Sequence, residues 1–166
     1  RVVEAKGHRV CPRRIDSLAH FVRQGLIYLM EVRWDGVTSL ERALDMLREQ
    51  AKRTPKGQWI RVIGGYSMYQ FKERRMPTLE ESNAVAPDHP VFVMYLYAYA
   101  LHSTNALDAL GYNRPNPPSY PGGRLAYDRH GKPTGAVFAA PSGLILYKSI
   151  SNGHRLSRQD QITSSL

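Results

Sequence analysis

Val91-Phe92-Val93-Met94-Tyr95-Leu96 is the stretch that decides the fold. Its consecutive apolar side chains leave no face for water, so it reads as a strand buried on both sides. Upstream, Trp59-Ile60-Arg61-Val62-Ile63 reads as a second strand, and Gly64-Gly65 ends it where the chain must turn or come close to something. A helix begins at Thr38-Ser39-Leu40-Glu41, a capping box in which the Thr hydroxyl and the Glu carboxylate satisfy free backbone N–H groups. Leu40, Ala43, Leu44, Leu47 and Ala51 then form one apolar stripe at helical spacing, which Pro55 and Gly57 terminate. A second capping box, Thr78-Leu79-Glu80-Glu81, opens a short helix closed by Pro87, and Ser103 to Leu110 reads as a helix with Gly111 at its C-terminus. Helices alternating with strands in this way predict an α/β fold with parallel strands.

The flanks read differently. Val2 to Val10 predicts two short β segments turning at Lys6-Gly7, and Ile15 a short strand leading into the Asp16–His20 loop. Phe21 to Trp34 is apolar without a clean period, as in a buried loop or irregular helix. Asn113 to Gly123, rich in Pro, Asn, Ser and Gly, is loop material. Arg124 to Tyr127 and Ala136 to Phe138 flank Asp128-Arg129-His130-Gly131 as a β-hairpin with its turn at Gly131. Ser142 to Ile150 reads as a helix, and another starts at Ser157. No internal repeat or low-complexity tract interrupts the chain.

With 166 residues, 42% apolar and 22% charged, the chain is one domain's worth of ordinary globular protein. No apolar run approaches the ~20 residues of a spanning helix. Arg1 and the polar-apolar mix that follows lack signal-peptide anatomy, and the missing initiator methionine points to a processed chain or an excised piece. The lone Cys11 allows no internal disulfide, and a cytoplasmic setting is the expectation. A net charge of +9 attracts polyanions, but the basic residues (Arg13-Arg14, Lys52-Arg53, Lys72 to Arg75) are scattered rather than gathered in an arm, so specific nucleic-acid binding is not expected.

Several segments carry a resemblance: Ile15-Asp16-Ser17-Leu18-Ala19-His20, Gly57-Gln58-Trp59-Ile60, Pro77-Thr78-Leu79, Ala86-Pro87-Asp88-His89-Pro90-Val91 and Ala106-Leu107 with Leu110-Gly111. Pro121-Gly122-Gly123-Arg124 and Asp128 with Gly131, Pro133-Thr134-Gly135 complete the series. In order and spacing the chain resembles amidohydrolase family 3, a branch of the metal-dependent amidohydrolase superfamily, over nearly its whole length. The resemblance implies a (β/α)8 barrel joined to a small β-sandwich. It also implies metal-assisted hydrolysis of carbon–nitrogen bonds other than peptide bonds, with a small-molecule amide or N-acyl substrate and a divalent metal, zinc by preference. On it rests a domain division: residues 1–12 as a β-sandwich remnant, and 13–166 as the N-terminal part of the barrel, with a loop and hairpin insertion at 112–140.

The family's first barrel strand ends in two histidines two residues apart, which reach one metal from the same side. Here His20 occupies the second place, making it the candidate metal ligand, while Leu18 occupies the first and has no lone pair to give. Asp16 is a candidate partner for a ligating histidine, or a turn-stabilising side chain. Tyr97 and Ser103 stand near positions where the family tends to carry His or Asp and then Asn, which makes them substrate-side candidates; Ala140 matches a usual Glu. Because a full barrel takes ~250 residues, the chain alone is expected to be inactive.

Two rival readings remain open. One is a non-catalytic remnant acting as an interaction or assembly piece, with self-association through unpaired strand edges and helix faces; the other is a basic polyanion binder. His8, His89, His102, His130 and His154 are read as loop and surface residues, and Lys72-Glu73-Arg74-Arg75 as a solvated charged turn. Tyr95, Tyr97 and Tyr99 alternate and would share one face of a continuous strand, as packing or as a pocket for an aromatic or acyl group. Cys11 reads as a buried or idle thiol.

Overall fold

The structure, a computed structural model, describes residues 4, 6–9, 28, 31–119, 121–139, 143–151 and 157–165. At its centre is a five-stranded sheet in the order β1-β2-β3-β5-β4. The strands are β1 (Ile60–Val62), β2 (Val91–Tyr95), β3 (Tyr99–His102), β4 (Gly123–Tyr127) and β5 (Pro133–Ala139). The helices are α1 (Leu40–Arg53), α2 (Leu79–Val85), α3 (Thr104–Leu110), α4 (Leu144–Ser151) and α5 (Arg158–Ser165).

Alternation along the strands divides the sheet into two faces. Ile60, Val62, Val91, Val93 and Leu101 pack with Leu40, Ala43 and Leu47 of α1, with Val85 of α2, and with Trp34 and Phe71. Phe92, Met94, Ala100 and Val137 pack on the opposite side with Leu107 and Leu110 of α3 and Ile145 and Leu146 of α4. Both faces of β2 are therefore dry, as its uninterrupted apolar sequence requires. Each fully buried Leu contributes about 2 kcal/mol of transfer free energy.

The all-parallel expectation holds for one pair. β1 runs parallel to β2, with Ile60 opposite Val91 and Val62 opposite Val93. β2–β3, β3–β5 and β4–β5 are antiparallel. The sheet is mixed because Val91–Leu96 is not one straight run: Leu96 takes φ +50 and the chain doubles back so that Tyr95 faces Tyr99. The hairpin at 123–139 is likewise no appendage. β5 joins β3 through Tyr99–Phe138, Ala100–Val137 and Leu101–Ala136, and the Asp128 carboxylate accepts from the His130 and Lys132 N–H groups at 2.8 and 2.9 Å to close the turn.

Helix starts follow their caps. Thr78 and Glu81 form the expected reciprocal box, but α1 is capped by Ser39, whose Oγ accepts from Arg42 N, not by Thr38. Its Leu40 N–H donates instead to the Glu73 carboxylate at 2.9 Å. The segment read as a solvated turn thus ties down a helix N-terminus, where a carboxylate is favoured. At the far end of the chain, the turn expected at Lys6-Gly7 is present, with Gly7 at φ +83.

Candidate functional site

His20 and Asp16, with Leu18 and Cys11, lie outside the described residues. Tyr97 and Ser103 are described, and the structure does not bring them together as a substrate pair. Tyr97 sits on the β2–β3 turn, 56% exposed, its ring against Tyr147 of α4. It does not share a face with Tyr95 and Tyr99, because the turn falls between them. Ser103 is buried and fully engaged: its Oγ accepts from Val91 N at 2.8 Å and Ala106 N at 3.4 Å, and donates to His89 O at 3.3 Å. Ser103 therefore ties the start of α3 to the start of β2.

Two histidines read as surface residues are buried. His89 Nδ1 meets Gln58 O at 3.1 Å. His102 meets Ser149 Oγ through Nε2 at 2.7 Å and packs edge-on to Phe92. Burial pulls the His102 pKa down to about 4, with backbone groups of Gly135 and Ala100 offsetting part of the effect, so the ring is neutral at pH 7.

The titratable cluster lies at the edge of β1. Glu31 stands opposite Arg61 in a parallel bridge, and Val32 N donates to Arg61 O at 2.8 Å. Both side chains thus leave on the same side. The Glu31 side chain is 8% exposed, and Arg33 Nη1 lies 3.8 Å from its Oε2. Burial pushes the Glu31 carboxyl up to about 7, against the downward pull of Arg33 and Arg61. Arg61 is 4% exposed, and its Nε and Nη2 have no hydrogen-bond partner among the described residues. Burial lowers its pKa while Glu31 raises it, and a guanidinium remains charged in any protein setting.

Arg33 forks onto Asp35 with bonds of 2.9 and 3.1 Å, which hold the Asp35 carboxyl below its usual range. This pair lies over Gly65: a Cβ there would sit 2.5 Å from Asp35 Oδ2 and 2.6 Å from Arg33 Nη2. The close approach expected at Gly64-Gly65 is therefore real, and at φ +79 Gly65 also needs the left-handed region. Between this segment and α1 opens a cavity of about 380 Å³ whose lining includes Glu31, Arg33, Arg42, Glu49 and Arg53. A buried carboxyl titrating near neutrality suits proton transfer, while Arg61 is not part of the cavity lining. Sequence reasoning passed over Glu31 and Arg61, although an arginine inside the apolar run Ile60-Arg61-Val62 was a usable signal.

At the carboxyl end of β2 lies an aromatic row. Tyr95 faces Tyr99, Tyr99 faces Phe138, and Phe138 faces Arg124 across successive strands. Ring centroids are 5.6 and 5.5 Å apart, and the Arg124 guanidinium lies 4.6 Å over Phe138. Tyr66, just past Gly65, joins the row at 6.2 Å from Tyr95 and packs on Trp34 at 4.8 Å. Its hydroxyl donates to Met76 Sδ at 3.3 Å, and burial pushes its pKa far up.

The model of the amidohydrolase family matches residues 1–164. The chain belongs to the amidohydrolase family. This amidohydrolase chain is 29% identical over 146 residues to an N-substituted formamide deformylase of Arthrobacter pascens, covering 87% of this chain and 27% of that protein. It is 30% identical over 145 residues to YtcJ of Bacillus subtilis (strain 168), named as an amidohydrolase, again covering 87% and 27%. It thus spans about 27% of the length of the curated relatives it matches and corresponds to an N-terminal portion. Its fold is similar to that of an uncharacterized metal-dependent hydrolase from Pyrococcus horikoshii OT3, with a TM-score of 0.53 and 23% identity over 90% of this chain and 26% of that one. A counterpart from Pyrococcus furiosus has a TM-score of 0.53 and 21% identity over 87% and 26%. Among the described residues no group of three or more His, Cys, Asp or Glu could hold a metal ion, and no helix is long and apolar enough to cross a membrane.

Proposed function

We propose that this chain is the N-terminal portion of a metal-dependent hydrolase of carbon–nitrogen bonds in small amide or N-acyl compounds. The observation that carries the reading is the family match over residues 1–164. Residues 13–166 would begin a (β/α)8 barrel and residues 1–12 belong to a β-sandwich, the β1–β2 parallel pair being the described part that suits a barrel. His20 would be the metal ligand, zinc being the preferred ion, with Asp16 orienting it. A bound divalent ion would supply Lewis acidity and a water of lowered pKa. Glu31, buried and with its carboxyl pushed up to about 7, would hold or move a proton. Metal analysis of the purified chain, of His20→Ala and of Leu18→His tests this. Expected are weak zinc retention in the parent, less in His20→Ala and more in Leu18→His, with no amide turnover by the parent. Equal metal in all three would overturn the ligand assignment, and brisk turnover would overturn the inactivity.

A second reading is favoured by one observation. Leu96 and Tyr97 are 62% and 56% exposed at the β2–β3 turn, and Tyr97 contacts the exposed Tyr147. An apolar patch of this kind suits assembly with a further polypeptide. Light scattering across a concentration series would show association, and a monomer at every concentration would count against it.

A further inference from the structure

We propose that the row Tyr95–Tyr99–Phe138–Arg124 is a binding subsite for a planar aromatic group that carries a carboxylate. The four residues are direct cross-strand neighbours on one face of the sheet, so their positions are fixed by backbone pairing rather than by loop conformation. Deeper on the same face Val62, Val91 and Val93 are sealed in the core that α1 and α2 help to form. At the Tyr95 level that cover ends: Tyr95, Tyr99 and Phe138 are only partly buried, while Met94, Ala100 and Val137 on the opposite face stay dry. Cross-strand packing accounts for the ring contacts themselves. It does not account for Arg124. Its side chain is exposed, lies 4.6 Å over the Phe138 ring and forms no hydrogen bond or ion pair among the described residues.

An arginine whose guanidinium lies over a ring still has N–H donors to offer, and a carboxylate can take two of them in parallel. Strands spaced at about 4.8 Å put Tyr99 and Arg124 roughly 10 Å apart, room for one ring and its carboxyl. The ring would stack on Tyr99 and Phe138 in the offset or tilted geometry aromatic pairs prefer. The charge complementarity is local, at Arg124, and general, in a chain of net charge +9.

The inference rests on the hydrolase reading only for the role of the bound group, which would be part of an amide substrate bearing both an aromatic ring and an acid. Binding itself can be measured without turnover. Benzoate, benzamide and cyclohexanecarboxylate are titrated into the whole 15N-labelled chain while backbone amide shifts are followed. Expected are benzoate shifts confined to the four residues and their strand neighbours. Arg124→Gln should weaken benzoate about tenfold, the loss of one charge-assisted pair, and leave benzamide within about twofold. Phe138→Leu should weaken both aromatic probes. The subsite is refuted if benzoate shifts nothing there, if cyclohexanecarboxylate binds as tightly, or if Arg124→Gln changes nothing. Arg124 is exposed, so its variant decides the matter even if Phe138→Leu does not fold. Benzoate binding together with equal metal in the parent, His20→Ala and Leu18→His supports the subsite and removes only the metal-ligand assignment of the hydrolase reading, while graded metal retention without benzoate binding does the reverse.

Discussion

Replacing Glu31 with Gln should change the pH dependence of stability because two buried groups oppose each other. Glu31 has its carboxyl raised from 4.5 to about 7 by burial, so the folded state holds a proton that the unfolded state releases. Its contribution therefore falls as pH rises from about 4.5 to 7 and is constant above. His102 is lowered from 6.5 to about 4, also by burial, so the unfolded state takes up a proton that the folded state refuses. Its contribution falls as pH drops from about 6.5 to 4. Each slope is about 1.4 kcal/mol per pH unit at full strength, with opposite sign. Between pH 4.5 and 6.5 they cancel, and the parent chain should be nearly flat. The lowered carboxyls of Asp35, Glu73 and Glu81 add their own acid losses only below this window. Glu31→Gln removes one slope and exposes the other. The variant should lose roughly 2–3 kcal/mol between pH 6.5 and 4.5, and at pH 8 it should exceed the parent by a similar amount, since the gap from 4.5 to about 7 no longer counts against it. Urea unfolding followed by tryptophan fluorescence at half-unit pH steps gives both curves. Parallel curves for the two proteins would refute the reasoning, because a carboxyl that titrates normally cannot bend one curve and not the other.

Other substitutions test the architecture. Gly65→Ala should cost well over 2 kcal/mol, because it adds a Cβ 2.5 Å from Asp35 Oδ2 to a positive φ; Gly57→Ala, at φ +81 with nothing within 4 Å among the described residues, should cost only about 1 kcal/mol in the same urea assay. Ser103→Ala should lower stability by about 2 kcal/mol by stranding the buried Val91 N–H, measured as a shift of thermal midpoint; an unchanged midpoint would return Ser103 to the substrate-side candidates. Thr78→Ala removes one arm of the α2 capping box and should cost about 1 kcal/mol by urea titration. Leu47→Ala, at the centre of the α1 contact, should cost about 3 kcal/mol in that titration.

What the sequence disclosed, and what it hid, follow from the range of the forces involved. The α2 box, the stripe on α1, the Gly111 cap and the Asp128–Gly131 turn are set by residues a few positions apart, and each appears where the pattern places it. The β2–β3 reversal left no such mark. Leu96 adopts φ +50 without Gly, Asn or Asp beside it, a conformation that local propensity disfavours and that the pairing of Tyr95–Tyr99 through Phe92–His102 sustains. Once the reversal is missed, the strand count, the mixed sheet and the place of the second hairpin are all missed with it. The α1 cap went astray for a similar reason, since a carboxylate thirty-three residues away supplies what Thr38 was expected to give. Long-range partners also hid the charged cluster. Glu31 and Arg61 lie thirty residues apart, and only the parallel bridge sets them side by side.

The two features left without a purely architectural account lie close together for a reason rooted in the sheet. Parallel strands point their carboxyl ends the same way, and beyond those ends helices no longer cover the sheet. Gly65, with its missing Cβ, lets the Arg33–Asp35 pair settle over the end of β1. One residue later Tyr66 turns inward to join Trp34 and Tyr95. A single dipeptide, Gly65-Tyr66, therefore connects the Arg33–Asp35 pair to a half-exposed aromatic row. Core packing alone would favour neither: a buried guanidinium with two nitrogens unbonded among the described residues is a cost that an apolar residue of similar size would avoid. Replacing Arg61 with Met should therefore raise the unfolding free energy at pH 5, where Glu31 is protonated and loses nothing, while pushing the Glu31 carboxyl still higher by removing one of its two cations. If Arg61→Met instead destabilises the chain at that pH, the guanidinium has a structural partner, and the case for Arg61 as a cost to packing fails.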